Sequence, residues 1–361
     1  MTRPCQARIL CSSLRHNAGV VRQLAPSARI MACVKADGYG HGATTVATVI
    51  DDLVDGFAVA SIEEALELRD HGITRPVLLL EGPQSVDEIS LAAARELTLC
   101  LSSPHQLQWL ADADLQSPLS CWLKIDTGMH RLGFAPDTVA DTFQRLRALT
   151  CVDAAPVLCS HFARADSPDD PANDAQEACF DQAVAGLDAA HSLANSAAIL
   201  ARPGSHRAWV RPGYMLYGGS PFAHRKSETL GLRPAMELST AVIGLRDVAE
   251  GDTVGYGGRW VASRPSRIAT LAMGYGDGYP RHAPDGTPVR IEGAVAPLAG
   301  RVSMDMITVD VTDIPAAQVG SRAVLWGSDP GVDTIAQLAG TIGYELLAGM
   351  PPRTPRIKET P

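Results

Sequence analysis

Eight short apolar runs, each followed by a helical or turn-forming stretch, constrain the first 232 residues of this chain more than any other feature. They span residues 30–34, 56–60, 77–80, 97–101, 121–126, 157–160, 193–195 and 209–211. Runs without polar alternation read as strands buried on both faces. The stretches between them carry helix signals. Leu14, Ala18, Val21 and Leu24 share one face after Ser12 and Ser13, and Pro26 ends that helix. Ser61-Ile62-Glu63-Glu64 has capping-box spacing, with Gly72 closing the helix behind it. Ser103-Pro104 opens another with proline at its favoured first position. Further helices are expected over 137–149 and from about 174 to 191. Eight strands alternating with helices are the count of a closed (β/α)8 barrel of the TIM type, although an open doubly wound sheet shows the same alternation. The barrel is favoured because Lys35, Asp126, His161, Asn195 and Arg211 all fall at the C-terminal ends of runs. A barrel gathers residues from its whole rim, whereas an open sheet concentrates them at one switch point.

Near Pro234 the pattern changes to strand-like runs with Gly and Asp turns: 241–245, 267–271 and 306–311. Residues 1–232 are therefore read as the barrel and 233–361 as a second, mainly β domain. One helical stretch is expected over 334–347, and an irregular proline-rich end over 351–361. A chain of 361 residues makes two domains the default. Its net charge of -9 argues against nucleic acid or an anionic membrane as main partner. The first residues lack the apolar core of a signal peptide, and no apolar run reaches membrane-spanning length. The eight cysteines are scattered without a C-x-x-C pair, several of them inside apolar runs. They read as buried thiols in a reducing compartment, so a cytoplasmic protein without disulfides or a metal site is expected.

The first strand delivers Lys35 into Ala36-Asp37-Gly38-Tyr39-Gly40-His41-Gly42, where glycines allow close approach of backbone to a ligand. Burial at a sheet rim would lower the lysine's pKa and free its lone pair for an aldehyde. Alone, the segment fits a surface lysine before a flexible loop equally well. Three more motifs stand beside it: Lys124-Ile125-Asp126-Thr127-Gly128-Met129-His130-Arg131-Leu132-Gly133, Arg211-Pro212-Gly213-Tyr214-Met215-Leu216-Tyr217-Gly218, and Gly255-Tyr256-Gly257-Gly258.

Together, in this order and at this spacing, the four motifs closely resemble those of the alanine racemases, pyridoxal 5'-phosphate enzymes built from a β/α barrel and a β domain. The resemblance implies that Lys35 holds the cofactor as a Schiff base and then acts as one catalytic base. Racemisation removes a proton from one face and returns it on the other, so a second base is needed. The resemblance assigns it to Tyr256 of the neighbouring subunit of a homodimer, where otherwise a plain turn tyrosine would be read. A phenol of pKa near ~10 is a poor base unless cationic or donor neighbours depress it, and His161 corresponds to part of that environment. Arg211 matches the arginine that faces the pyridine nitrogen. Always charged, it cannot accept the ring proton, so the ring stays a weak electron sink. Tyr39, Asn195, Ser196, Gly213, Tyr214 and Tyr344 match the cofactor's other contacts, the phosphate above all, with Ser196 otherwise readable as a helix cap. Arg131 and the backbone of Met304 correspond to substrate contacts, Met304 coming from the partner. Lys124 matches a lysine that many relatives carry as a carbamate, an anion able to pair with Arg131. Tyr275, Arg281, Arg301 and Ile342 correspond to an access corridor whose narrowness suits alanine.

Other enzymes of this cofactor fold fit less well. A decarboxylase should show a glycine-triplet phosphate loop and a catalytic cysteine in its β domain, and a broad-specificity racemase usually lacks the Lys124 equivalent. A non-catalytic cofactor-carrying barrel has no β domain to hold Tyr256. Supply of D-alanine for peptidoglycan and catabolism of alanine both remain open as roles.

Overall fold

The structure, a computed structural model, describes residues 3–153 and 156–359. Eight parallel strands close into a barrel: Arg29–Cys33, Gly56–Val59, Val77–Leu79, Thr98–Leu101, Ser120–Lys124, Val157–Cys159, His191–Ser192 and Trp209–Val210. Closure is made by Arg29 and Ile30 pairing with Trp209 and Val210. All eight expected strands are present. The seventh sits at 191–192, before the expected 193–195, because the helix ahead of it (Ala172–Ala183) ends eight residues short of His191.

Period-two alternation sorts the strand residues into two cores. Ile30, Ala32, Phe57, Val59, Leu99 and Leu123 face the surrounding helices. Met31, Cys33, Ala58, Leu78, Cys100, Trp122, Cys159 and Trp209 form a separate buried cluster inside the barrel. Two indoles, 5.7 Å apart between ring centres, fill much of that interior, so it is packed and not a pore.

The β domain is organised on one long strand, Met236–Val248. Its first half pairs with Arg322–Trp326 and its second half with Ser266–Leu271, across a register irregularity between Val242 and Gly244. The free edge of its first half is taken by Gln6–Ile9, antiparallel, and that strand pairs in parallel with Arg356–Lys358. Two expectations change here. The chain's first strand lies in the β-domain sheet and not with the barrel of residues 1–232, and the supposedly irregular end contains a strand, Arg356–Lys358 (residues 360 and 361 lie outside the described residues). Gln6–Ile9 alternates half-buried and buried residues, the signature of a one-sided strand, but four residues are too few to stand out. The expected helix over 334–347 is two helices, Val332–Leu338 and Gly343–Ala348. Gly340, at φ +74°, makes the turn between them. Among the described residues no helix is long and apolar enough to cross a membrane.

Candidate active site

The loop after the first barrel strand is not a flexible glycine segment. Ala36, Asp37, Gly38 and Tyr39 have φ of +51° to +61°, one turn of left-handed helix. Each non-glycine residue there costs about 1–2 kcal/mol, so neighbours must hold the turn. The Ala36 N–H donates to Glu64 Oε1 (2.5 Å), whose other oxygen accepts from Ala60 N–H (2.8 Å). The capping-box glutamate thus ties the Lys35 loop to the end of the second strand. The Ala43 N–H donates to Asp37 (3.0 Å), and Arg356 Nε donates to the Gly40 carbonyl (3.0 Å). A Cβ on Gly40 would stand 1.9 Å from the Leu347 carbonyl oxygen. This turn sets Lys35 at the rim and stacks Tyr39 on Tyr217, ring centres 4.7 Å apart.

A cavity of about 680 Å³ opens at the C-terminal ends of the strands. Lys35, Tyr39, Lys124, Arg131, His161, Asn195, Ser196, Arg211, Gly213, Tyr214 and Tyr344 all line it. Its charge is one-sided: Lys35, Lys124, Arg131 and Arg211 face it, against the single carboxylate of Glu81. Arg211 is buried. It donates to Ser192 Oγ (2.6 Å) and to the carbonyls of Ser160 (2.6 Å) and Leu193 (3.2 Å), and lies 3.4 Å from His161 Nδ1. A guanidinium can only donate, so Nδ1 accepts. Burial holds the His161 imidazole far below its ordinary range, and Arg211, Lys124, Arg131 and Lys35 push the same way. His161 is neutral.

At the opposite wall the Gly213 N–H donates to Ser196 Oγ (2.9 Å). A Cβ on Gly213 would come within 2.6 Å of the Tyr39 hydroxyl, so the hydroxyls of Tyr39 and Ser196 and the 213–214 amides share one small space. Tyr214 opens the 3₁₀ turn Tyr214–Tyr217, where the first N–H has no partner within the turn. The Asn195 Oδ1 accepts from the Ala198 N–H (3.1 Å) and caps the helix Ser196–Ala201. Burial raises the pKa of Tyr39, with Cys33 and Tyr344 adding to it, and burial likewise raises those of Tyr214 and Tyr344. All three phenols keep their protons. The Tyr214 hydroxyl is taken by Asp333 (2.5 Å), while its ring stacks on Tyr344 at 3.8 Å.

Tyr256, Tyr275, Arg281, Arg301, Met304 and Ile342 do not line this cavity. Tyr256, 69% exposed, sits at the tip of the hairpin Thr253–Val254/Trp260–Val261. Cβ atoms built on Gly255 and Gly257 would approach Arg301 at 3.4 and 3.9 Å. Next in sequence, the carbonyls of Ser303 and Met304 accept from Tyr275 (3.0 Å) and Gly276 (2.9 Å), and Arg281 lies 5.9 Å over the Tyr275 ring. These five residues form one continuous exposed patch on the β domain, while Ile342 is exposed just before the helix that carries Tyr344.

Some residues play parts that the sequence did not suggest. Asp126 has no place in the cavity wall. Its Oδ1 accepts from the N–H groups of Gly128 (3.1 Å), Met129 (3.1 Å) and His130 (3.0 Å), which builds the turn leading to Arg131. Burial opposes its ionisation, but donation from His130 and Gly128 outweighs that and holds its pKa low. The Asp-x-Gly spacing was the available signal. Asp333 and the thiol pair Cys100 and Cys159 had no local pattern to reveal them.

Residues 9–221 match the family model "Alanine racemase, N-terminal domain" and residues 235–358 match "Alanine racemase, C-terminal domain". The chain belongs to the alanine racemase family. An alanine racemase of Chromohalobacter salexigens is 48% identical over 356 residues, 99% of this chain and 98% of the relative. The solved biosynthetic alanine racemase of Pseudomonas aeruginosa superposes with a TM-score of 0.96 at 46% identity, covering 99% of this chain and 100% of that one. The alanine racemase of Acinetobacter baumannii gives 0.94 at 37% identity, covering 99% and 100%. The N-terminal family match begins at residue 9, so it leaves out nearly all of Gln6–Ile9, in keeping with that strand's place in the other sheet.

Proposed function

We propose that this chain interconverts L-alanine and D-alanine with pyridoxal 5'-phosphate, as a homodimer whose two sites each take residues from both copies. The observation that carries the reading is Arg211: a buried guanidinium on the cavity wall, satisfied by hydroxyl and carbonyl oxygens and, among the described residues, by no carboxylate.

The residues present fit the group. Lys35 offers the amine, and Tyr39, Ser196 and the amides of Gly213 and Tyr214 are neutral donors suited to a phosphate. A side chain at 213 would fill that space. When bound, the cofactor supplies an aldehyde for the substrate amine and a conjugated ring that draws electron density from Cα. Arg211 has no acceptor, so it leaves a basic nitrogen beside it unprotonated and keeps that withdrawal mild, which limits side reactions. Lys35, fixed by the left-handed turn, takes or returns the Cα proton from the barrel side. Tyr256 of the second copy does so from the other side, and His161, neutral and accepting from Arg211 at Nδ1, gives that environment an Nε2–H donor and no extra cation.

Arg131 binds the substrate carboxylate. Among the described residues it has no ion pair, and both it and Lys124 face the cavity. A carbamate on Lys124 would put an anion beside Arg131, and a carbonyl resonance from ¹³C-labelled bicarbonate would report it. The backbone of Met304 from the second copy is the other substrate contact, and Tyr275, Arg281, Arg301 and Ile342 serve the access path, where a ringed passage favours a small side chain. A cytoplasmic location is supported by the cysteines, all eight of them free thiols.

The test is direct. The purified protein should absorb near the visible edge and form D-alanine from L-alanine, and Lys35→Ala should lose both the covalent attachment and the activity. Bound cofactor without racemisation would point to a carrier barrel and end this reading.

A further inference from the structure

The mechanism leaves two nucleophiles unused. Cys100 and Cys159 end up side by side inside the barrel mouth with their sulfurs 3.8 Å apart, and both line the cavity. They come from strands on either side of Ser120–Lys124: Cys100 is level with Trp122, and Cys159 with Lys124. Adjacent strands lie about 4.8 Å apart. Two strands removed, the Cα atoms exceed the roughly 7 Å that a disulfide can bridge, so oxidation to a disulfide is not what this spacing suits. An atom placed between the sulfurs fits it better. With metal–sulfur bonds of about 2.3 Å, a 3.8 Å separation corresponds to an S–metal–S angle of roughly 110°. That angle leaves further coordination positions open towards the cavity.

We propose that Cys100 and Cys159 form a two-thiolate site for a soft monovalent cation of the copper(I) class, reached through the cavity. Soft thiolates select such ions over hard ones. The surroundings fix the preferred charge. Two thiolates with a monovalent ion carry one net negative charge, and the Arg211 guanidinium on the same cavity wall can offset it. One sulfur donates its S–H to the other, so the two thiols already face one another. Binding forms two copper–sulfur bonds, breaks the two S–H bonds and sends their protons to water. No electron is transferred, provided that copper is supplied as copper(I). Cys33 lines the same cavity but points its thiol at the Arg211 carbonyl, 4.0 Å away, and takes no part. The proposal does not depend on the racemase reading.

The experiment is an anaerobic competition of copper(I), held by bathocuproine disulfonate, against the purified protein. It is run on the protein as isolated and again after hydroxylamine has removed any bound carbonyl cofactor. Wild type should take one ion per chain and release two protons in at least one of the two forms. Cys100→Ser and Cys159→Ser should each weaken uptake by more than the roughly 10–100-fold expected from losing a group behind a ligand. Cys33→Ser should bind as wild type. Unchanged far-ultraviolet circular dichroism in the variants separates lost ligands from lost fold. Uptake in neither form, or uptake that survives in Cys100→Ser/Cys159→Ser, would overturn the proposal.

Discussion

Two inactive variants of this chain should restore activity to each other. Lys35 lines the barrel cavity, whereas Tyr256 stands on an exposed hairpin that contributes nothing to that cavity. If each site takes Lys35 from one copy and Tyr256 from the other, Lys35→Ala and Tyr256→Phe homodimers each lack one base at both sites. Loss of a proton-transfer group costs about 10²–10⁴ in kcat. Tyr256→Phe alters an exposed position, so its stability should stay within about 0.5 kcal/mol of wild type. In a mixed dimer the defects distribute unequally. One site carries both substitutions and the other carries neither. Random pairing of equal amounts gives about half mixed dimers, each with one complete site, hence about a quarter of wild-type activity. Differently tagged chains, co-expressed and purified through both tags, should reach about half. The assay is D-alanine formation from L-alanine, and the KM of the mixed dimer should equal that of wild type, because its working site is intact. Activity no greater than the sum of the parents, in dimers verified to carry both tags, would refute sharing of the two bases between copies.

Three further perturbations test the frame around the site. Gly40→Ala places a Cβ on the Leu347 carbonyl at a φ of +73°, so it should cost about 3 kcal/mol or more, read as a lower Tm with weaker cofactor retention. His41 is fully buried, and burial lowers its pKa to about 4. Between pH 6.5 and 4 the unfolded chain binds a proton that the folded chain refuses, so stability is full above the unfolded pKa and falls as pH drops towards 4, by about 3 kcal/mol in all. His41→Asn keeps a donor for the Tyr39 carbonyl and should flatten that part of the denaturation profile; an unchanged slope would assign the acid sensitivity elsewhere. Asp277, fully buried, pairs with Arg3 (2.6 Å) and Arg353 (2.9 Å) and accepts from the Gly274 N–H (2.9 Å). Asp277→Asn should cost about 3–5 kcal/mol and loosen the Tyr275 and Met304 segments, raising KM more than it lowers kcat.

Legibility in the sequence followed the length and periodicity of each signal. The barrel strands could be read because burial on both faces makes continuous apolar runs, and the helix of residues 62–70 because Ser61 and Glu64 carry a capping pattern. Gln6–Ile9 escaped because its partners lie more than 200 residues away, at Met236–Ser239 and Arg356–Lys358, and pairing at that distance leaves no local mark. The cavity residues were legible as motifs, yet the left-handed turn at 36–39 was not. Only Gly38 and Gly40 hint at positive φ, while Ala36, Asp37 and Tyr39 adopt it against their own preference under the hold of Glu64, Ala43 and Arg356. Asp126 misled in the opposite direction. A carboxylate at a strand end reads as chemistry, but its lone pairs are consumed by three backbone N–H groups.

The barrel geometry supports the proposal that the second base comes from outside it. Side chains at the C-terminal ends of parallel strands all approach the mouth from below, along the barrel axis. Lys35, His161 and Arg211 share that approach, so adding another such residue would place it on the same side of a flat substrate. A base for the opposite face has to arrive from an element lying over the mouth. Tyr344 and Tyr214 are the phenols that the chain brings to its own cavity wall from near that position, and burial keeps both protonated. Tyr256 is the more exposed of two exposed phenols among the described residues, on a patch with Arg301, Met304 and the other of the two, Tyr275. Under the proposed reading, a second copy related by a twofold axis would present the same patch in return, so that one contact would close both mouths and complete both sites.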